Sequence, residues 1–395
     1  MEFKATEAEG KLLSDGIQKI VVVRQENKNK PCAPVVLSVV DIFLSVFVVT
    51  PLVVFAWRGS WLYMDVQAQY FPLMPCFFIG MAVHVILALS QDVLHAAIVE
   101  SDKHWSLKIV SHFLRRFYTY VFLNITVFHW RGGWGLIDSY LHIQFTKDSV
   151  AEKEGIHWFL MIWVACFITL IVIKGLRNAI APPFAICIDK GNYVFKFPTM
   201  FKRTNKQSSL LAILDCFFSV GVMGNLVVTL WRGLWVLIDL ILLPDNFIWS
   251  SWSSLVLGLL VIGLVFRLQN FMKNLCTKTS GLTKIVIADF YIILSCIAII
   301  LYWRGVWNVT NIYFLPDDPE LSGILSHFIG YMFLVVLGCS NSLLVRGVYI
   351  DGKEPNGECV VLPCQYLRII FEQEDSCEEE ESDLGTIKMM NSVEV

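Results

Sequence analysis

Charged residues are scarce in this chain. Asp, Glu, Lys and Arg make up only 16% of its 395 residues, whereas 56% are hydrophobic and the mean hydropathy is +0.60. Soluble domains carry about 25% charged residues, so this composition excludes an ordinary soluble protein. Catalytic and metal-binding signatures are also missing: there is no Gly-rich phosphate loop and no His-Glu-x-x-His, Gly-x-Ser-x-Gly or Cys-x-x-Cys sequence. We therefore predict a membrane protein that is not an enzyme, with no catalytic residue, metal site or cofactor.

Eight stretches have few charges over the roughly 20 residues that a helix needs to cross the hydrocarbon core of a bilayer. The predicted spans are Pro34–Trp57, Phe71–Gln91, Leu107–Trp130, His157–Ile180, Ser209–Trp231, Trp252–Met272, Lys284–Trp303 and Leu321–Val345. The predicted fold class is therefore an all-α membrane protein with eight transmembrane helices, and the lipid bilayer is its main partner.

Lys and Arg are unevenly distributed between the loops. Together with the span ends that flank it, the segment between the fourth and fifth spans carries seven of them against one acid, Asp189, and the segment between the sixth and seventh spans, counted in the same way, carries four and no acid. The positive-inside rule then places both termini and the even-numbered loops in the cytoplasm. No cysteine lies in the four predicted outer loops, which excludes a disulfide-stapled ectodomain. The basic loops suit the anionic lipids of the inner leaflet, so no nucleic-acid partner is predicted.

A nine-residue motif, Trp-Arg-Gly-x-Trp-x-x-x-Asp, occurs four times, each time where a predicted span ends. Asn311 replaces the acid at position nine in the fourth copy. The candidate residues at positions one, two, five and nine are Trp57, Arg58, Trp61, Asp65, Trp130, Arg131, Trp134, Asp138, Trp231, Arg232, Trp235, Asp239, Trp303, Arg304 and Trp307.

The spacing of this motif divides the chain. Successive copies begin 73, 101 and 72 residues apart, so the first pair maps onto the second with an offset of 173 or 174. An offset across four spans preserves orientation, which predicts two parallel four-helix repeats built from four helix-motif-helix hairpins. The predicted domains are a cytoplasmic N-terminal tail (1–33), a first repeat (34–180), a basic cytoplasmic connector (181–208), a second repeat (209–345) and an acidic cytoplasmic C-terminal tail (346–395).

Two interpretations of the motif stay open. In the first, its two tryptophans lie four residues apart on one helical face and anchor the helix end among lipid headgroups, while the arginine forms a tether with the acid. In the second, four arginines and three acids line an outer vestibule for an anionic or zwitterionic ligand. The glycine at position three permits a close approach or a break in the helix. Repetition alone does not distinguish these interpretations, because packing and binding are duplicated together.

Three acids fall inside predicted spans, where a carboxylate costs several kcal/mol unless it is paired or hydrated. Asp41 and Asp215 each precede a motif tryptophan by 16 residues, and Asp289 precedes one by 14. These residues are candidates for coupling to a cation or proton. They motivate an alternative function for the whole chain, a secondary transporter or channel.

The loops and tails contain candidate modification and partner sites. Asn308 begins an Asn-x-Thr glycosylation triplet on the predicted outer face. The acidic stretch Gln373–Asp383 contains Ser376, a candidate for acid-directed phosphorylation. Valines at the last and antepenultimate positions, ending at Val395, are compatible with capture by a PDZ-type domain.

The predicted spans, the basic inner loops and the motif at Trp57, Trp130, Trp231 and Trp303 together resemble the Fuseless family of invertebrate multi-pass membrane proteins. The resemblance covers about Pro34–Val345. It implies a presynaptic plasma-membrane protein that organises voltage-gated calcium channels, with channels or scaffold proteins as partners, and that supports calcium-dependent synaptic vesicle exocytosis. It implies no catalytic residue and no transport substrate.

Overall fold

The computed structural model describes residues 35–102, 107–140, 145–146, 149–150, 156–189, 195–201, 209–364 and 366–367. Its contacts divide the chain into two units, Met1–Val40 and Asp41–Val395. Of the first unit only residues 35–40 are described, as the start of a helix. All contacts discussed below lie within the second unit.

The described residues are almost entirely helical, which confirms the predicted all-helical class. The helices are α1 (Val35–Leu44, a π-helical turn at Ser45–Val49, and Thr50–Val66), α2 (Leu73–Asp102), α3 (Lys108–Tyr140), α4 (Ile156–Val172), α5 (Ser209–Phe217, a π-helical turn at Phe218–Met223, and Gly224–Ile241), α6 (Phe247–Lys278), α7 (Gly281–Tyr313) and α8 (Pro319–Val336). Two-residue strands β1 (Phe145–Thr146) and β2 (Ser149–Val150) pair antiparallel between α3 and α4. Short 3-10 helices occur at Leu176–Ala179, Ser340–Leu343 and Glu358–Val360.

Six of these helices have the length and apolar composition of a membrane span: α1, α2, α5, α6, α7 and α8. Helix α3 is long but too rich in charges and polar residues to qualify, and α4 is a shorter apolar helix. A membrane protein with several spanning helices is therefore supported. The count of eight spans stays a prediction.

Helices α6 and α8 begin in the same way. Each follows a Leu-Pro-Asp sequence whose leucine has a left-handed φ of 50°. The next residue, Asn246 or Asp318, then accepts a hydrogen bond from a backbone N–H three residues later and so caps the new helix. The repeated Leu-Pro-Asp sequence thus folds into a repeated turn and helix start.

Packing pairs each motif-bearing helix with the helix before it, not with the helix after it. Helix α3 packs against α2, α5 against α4 and α7 against α6, while α1 packs against the last helix, α8. The predicted hairpin, in which a motif helix packs on the helix that follows it, is therefore wrong as a packing unit. The reason is that contacts form around a closed circle of helices, so the partner of α1 comes from the end of the chain.

Helices α4 and α8 end about eight residues before the predicted span ends, because the chain turns at Lys174 (φ 57°) and Gly338 (φ 67°). The chain then continues as two segments that are not α-helical but are largely buried. We call residues 175–189 the first inner segment and residues 338–351 the second. Hydropathy alone predicted helix here, since a buried irregular segment is as apolar as a span.

The core extends beyond the predicted repeats. Phe184 and Ile186 of the predicted connector are 0% and 4% exposed, and Val348, Val360 and Leu362 of the predicted C-terminal tail are equally well buried. The apolar residues of these stretches therefore belong to the folded unit. The boundaries predicted at residues 181 and 346 do not mark the edge of the core.

Candidate functional site: stacked rings of tryptophan and arginine

The four copies of the motif meet around one axis. The position-one tryptophans form a closed ring in which each indole packs edge-to-face on the next, with centroids 5.3–6.1 Å apart. The position-five tryptophans form a second ring with the same geometry, at 5.4–6.1 Å. Edge-to-face packing is the favoured geometry for aromatic pairs. Because each indole contacts both neighbours in its ring, tryptophan fills the axis at two levels.

The motif arginines link neighbouring helices around this axis. Each arginine donates from Nε to the position-nine residue of the preceding motif helix. The pairs are Arg131 with Asp65, Arg232 with Asp138, Arg304 with Asp239 and Arg58 with Asn311, with N–O distances of 2.6–2.7 Å. The four bonds form one closed cycle. The substitution at Asn311 therefore lies at the bond that joins the last motif helix to the first.

The guanidinium groups are also bonded to the surrounding helices. Arg58 donates to the hydroxyls of Ser322 and Ser326 in α8, and Arg304 donates to the hydroxyl and carbonyl of Ser250 in α6. The four arginines are 2–4% exposed. A buried charge is strongly destabilising unless it is paired and hydrogen-bonded, and these contacts satisfy that requirement for Arg304. Arg58 has only neutral partners among the described residues.

The glycine at position three lets the outer helices approach. A Cβ on Gly59, Gly132 or Gly305 would lie 2.3–2.7 Å from backbone nitrogen atoms of α8, α2 and α6 respectively. At Gly233 the same space is filled by the indole of Trp163 in α4, whose Nε1 donates to the carbonyl of Leu230. The helices continue past the motif, so the glycine permits close packing and does not break the helix.

The inner segments contact the first tryptophan ring directly. The indole Nε1 of Trp57 donates to the carbonyl of Leu343, and those of Trp231 and Trp303 donate to carbonyls of Ala179 and Pro182 at 2.8–3.1 Å. Irregular backbone is tolerated at membrane depth only where protein satisfies its polar groups. The tryptophan indoles supply hydrogen bonds to three of these backbone carbonyls.

Each inner segment contains an aspartate that caps a 3-10 helix of the other segment, so the two segments exchange caps. Asp351 in the second segment accepts the first two N–H groups of the 3-10 helix Leu176–Ala179 in the first segment, at 2.8 and 2.9 Å. Asp189 in the first segment accepts the first two N–H groups of Ser340–Leu343 in the second, at 2.8 and 2.7 Å. Arg116 of α3 pairs with Asp189. The two segments therefore hold each other in place.

The predicted intramembrane acids Asp41 and Asp215 have backbone partners. Asp41 accepts the N–H of Leu367 at 2.6 Å, and Asp215 accepts the N–H of Phe201 at 3.0 Å and the hydroxyl of Thr199. Both are 2% exposed. Their position inside α1 and α5 thus serves to bind stretches of chain outside their own helices, Leu367 for Asp41 and residues 199–201 for Asp215.

A serine four residues after each of these acids repeats the arrangement. Ser219 accepts the N–H of Met200 at 2.9 Å, and Ser45 accepts a bond from the thiol of Cys364 at 3.0 Å. Burial raises the pKa of Cys364 to about 12, which keeps the thiol protonated as a donor. The repeated Asp-x-x-x-Ser sequence was a readable signal for this arrangement, but sequence reasoning took up only the acid.

Asp289 differs from the other two acids. It is 6% exposed, and its Oδ1 has no hydrogen-bond partner within the described part of the chain. Arg116 occupies the corresponding position in α3, 14 residues before its motif tryptophan, and there it pairs with Asp189. The third predicted acid is therefore the one with unused bonding capacity.

The structure corrects two interpretations of predicted residues. The position-one tryptophans are 3–7% exposed and packed on one another, so the prediction that they anchor helices among headgroups is wrong. Asn308 is 6% exposed inside α7, which contradicts its assignment as a glycosylation acceptor, because a glycan requires an exposed side chain. Ser376 and Val395 lie outside the described residues.

The functional geometry that sequence reasoning missed lies mainly in the inner segments. Asp189 was noticed only as an exception to the basic connector, and Asp351 was not singled out at all. Among the described residues no group of three or more His, Cys, Asp or Glu side chains is arranged to hold a metal ion. The motif side chains bond mainly to one another and to the inner segments, which favours the structural interpretation of the motif over a ligand rim.

Comparison with known proteins bears on the whole helical region. The family model described as Fuseless matches residues 36–344, which includes all four motifs and both exchanged 3-10 helices. Searches among curated proteins and among solved structures found no significant match. A match over this share of the sequence, with the repeated motif at its centre, shows that the chain belongs to the Fuseless family.

Proposed function

We propose that this protein is a non-enzymatic membrane scaffold of the presynaptic plasma membrane. In this role it organises voltage-gated calcium channels and supports calcium-dependent synaptic vesicle exocytosis. Family membership supports the proposal, because the resemblance that implies this role covers the helical region. The scaffold acts through lateral contacts of its helices and through its C-terminal tail.

The observation that carries the scaffold interpretation is the filled axis. A transporter or channel needs a polar route along its centre, whereas two tryptophan rings and the inner segments occupy the centre here. The intramembrane acids Asp41 and Asp215 are bonded to backbone groups. A close-packed centre of this kind suits a protein that acts through contacts at its surface.

We further propose that α3 and α4 also cross the membrane, giving eight spans with both termini in the cytoplasm. The uneven distribution of Lys and Arg supports this arrangement. Cysteine-accessibility mapping tests it: a single cysteine placed between α3 and α4, in residues 141–155, should react with an impermeant reagent applied outside intact cells. Reaction only after permeabilisation would contradict the arrangement.

The scaffold proposal is tested by deleting Gln373–Val395 and imaging calcium-channel clusters at terminals that lack the native protein. We expect the full chain to restore clustering and the truncated chain to reach the membrane but restore less of it. A matched control replaces the acidic residues of Gln373–Asp383 with Gln and keeps the length. Full clustering by the truncated chain would remove the tail from the proposal.

One observation favours the alternative of transport: the unpartnered buried oxygen of Asp289, whose charge interacts with those of Asp351 and Lys174. Flux measurements on purified protein in liposomes distinguish a scaffold from a transporter. Under the scaffold proposal, wild type and Asp289→Asn show the same background leak across a panel of ions and small metabolites. Flux above background that Asp289→Asn abolishes would replace the scaffold proposal with a transporter.

A further inference from the structure

A half-open pocket lies beside the tryptophan ring, between α2, α3, α5 and the two stretches that follow α4 and α8. Its empty volume is about 580 Å³, which includes open solvent at its mouth. Its polar lining includes His84, Thr126, His129, Thr199, Ser219 and Arg346. The remaining wall is mostly apolar. Trp130 of the first tryptophan ring also lines the pocket, whereas His84, His129 and Arg346 have no role in the scaffold proposal.

His84 is the most informative residue of this pocket. Its side chain is 8% exposed and packs edge-to-face on Phe122, with centroids 4.8 Å apart. Its Nδ1 has no hydrogen-bond partner among the residues that the structure describes. Leaving a buried nitrogen without a hydrogen-bond partner is destabilising, so a group that bonds to it would stabilise the protein.

The charge of the pocket is positive. The guanidinium carbon of Arg346 lies 5.7 Å from the ring centre of Phe197 and 6.0 Å from that of Phe122, on the same two rings that contact His84. The described lining contains no Asp or Glu. The acid just behind it, Asp215, already accepts bonds from Thr199 and Phe201. An anionic group is therefore the complementary ligand.

The corresponding boundary on the other side of the ring has different residues. His129 precedes Trp130 and reaches α5, where its ring lies 3.1 Å from the side chain of Asn225. Tyr302 holds the same position before Trp303, but it is buried and donates to the carbonyl of Val46 in α1 at 2.7 Å. The boundary between α3 and α5 is therefore the one whose described lining combines histidines with an arginine.

We propose that this pocket binds the phosphate group of an anionic membrane lipid. Arg346 supplies the charge, His84 a hydrogen bond from its unsatisfied nitrogen, and the apolar wall of α5 contacts the lipid chain. The pocket is bordered by two helices, α2 and α5, that have the composition of membrane spans and expose apolar side chains such as Ile86 and Phe217. A lipid is consequently a more suitable occupant than a soluble phosphate.

Native mass spectrometry of the full chain in detergent tests this proposal with phosphatidic acid, phosphatidylcholine and inorganic phosphate as probes. We expect the wild type to retain one phosphatidic acid and to bind it at least about tenfold more tightly than phosphatidylcholine, as expected for a charge-assisted bond. Arg346→Gln should lose this preference, whereas Arg346→Lys should keep most of it. Arg267→Gln, which changes an arginine of α6 outside the pocket, is the matched control.

His84→Phe provides a second, independent variant, because it keeps the ring packing and removes only the nitrogen. It should weaken phosphatidic acid binding several-fold without lowering the yield of folded protein. Equal binding of phosphatidic acid by wild type, Arg346→Gln and His84→Phe would overturn the proposal. Retention of inorganic phosphate with no preference between the two lipids would overturn the lipid as its source.

Discussion

Asn311 shows how one side-chain atom alters the charge of the ring. Three motif arginines are paired with carboxylates, but Arg58 donates to the amide oxygen of Asn311 and to two serine hydroxyls. Its guanidinium is 2% exposed. The cycle of bonds is therefore geometrically complete but lacks one negative charge at its closing position.

Asn311→Asp should therefore stabilise the protein, because it provides Arg58 with a carboxylate at the same 2.6 Å position. We expect a gain of about 1–3 kcal/mol, the usual worth of a hydrogen bond to a charged group. The measurement is the melting temperature of purified protein in detergent. The reverse control, Asp239→Asn, should destabilise by at least as much, since it leaves Arg304 without its acid. A lower melting temperature for Asn311→Asp would contradict the inferred charge deficit.

Replacement by Asn should change the melting temperature differently at Asp289 and at Asp215. Asp289→Asn removes a buried charge with an unpartnered oxygen, so the melting temperature should rise or stay unchanged. Asp215→Asn weakens the bonds to Phe201 and Thr199, so the melting temperature should fall. The two variants serve as controls for each other. Equal destabilisation by both would mean that Asp289 has a bonding partner.

For individual residues, the sequence predicted which types of contact form but not which residues are the partners. The Trp-Arg-Gly-x-Trp-x-x-x-Asp pattern indicated that arginine bonds to the position-nine acid, yet it could not show that the acid belongs to the preceding motif helix. The two Asp-x-x-x-Ser sequences likewise did not reveal the backbone groups of Met200, Phe201 and Leu367 as partners. Such partners lie far away in sequence, and no local periodicity encodes them.

Among the elements, the motif glycines determine how closely outer and inner helices pack. Gly59→Ala, Gly132→Ala and Gly305→Ala would each place a Cβ within 2.7 Å of a neighbouring backbone nitrogen. We expect each to destabilise by about 1–3 kcal/mol, the usual cost of overpacking, and to reduce the yield of monodisperse protein in size-exclusion chromatography.

Gly263→Ala is the control for this series, because no atom lies within 4 Å of a Cβ at that position in α6. It should be neutral or stabilise by up to about 1 kcal/mol through helix propensity. If the motif substitutions behave like Gly263→Ala, the close approach of the helices is not required.

The helical periodicity and hydropathy were sufficient to predict most helices, but not where α4 and α8 end. Both predicted spans continued into apolar stretches that the structure shows as the inner segments. A left-handed residue at Lys174 gives little local warning, because lysine rarely adopts that conformation. The irregular backbone is stable because tryptophan indoles and aspartates from elsewhere bond to it.

On the scale of the whole molecule, the exchanged caps couple the two halves of the chain. Asp351 bonds to amides of the first inner segment and Asp189 to amides of the second. Each inner segment therefore depends on an acid that lies more than 150 residues away along the chain. Replacing one of these acids should therefore destabilise the inner segment in the opposite half of the chain.

Hydrogen exchange measured by mass spectrometry can detect this effect of one inner segment on the other. Asp351→Ala should accelerate exchange at Leu176 and Arg177, and Asp189→Ala should accelerate exchange at Ser340 and Asn341, because each loses its acceptor. Replacing the exposed Glu320 with Ala controls for the loss of an acid in general. Faster exchange confined to the peptide that carries the substitution would contradict the exchange of caps.

The duplicated pattern singled out the four motifs that meet in the rings, but it could not reveal how they close into a circle. Spacing along the chain suggested that each motif helix pairs with its successor, whereas α1 packs against α8. A linear repeat and a closed ring have the same internal spacings. Only the contact between the two ends of the folded unit distinguishes them.

The closing contact also determines the order in which the protein can be made. Arg58 belongs to α1, while Asn311 belongs to α7 and Ser322 and Ser326 belong to α8. During synthesis its guanidinium therefore has none of these partners until α7 and α8 have been translated, and an unpaired charge is costly in hydrocarbon. Helix α1 can take its final place only after α8 is inserted, so the helices of this unit cannot reach their final packing one by one in chain order.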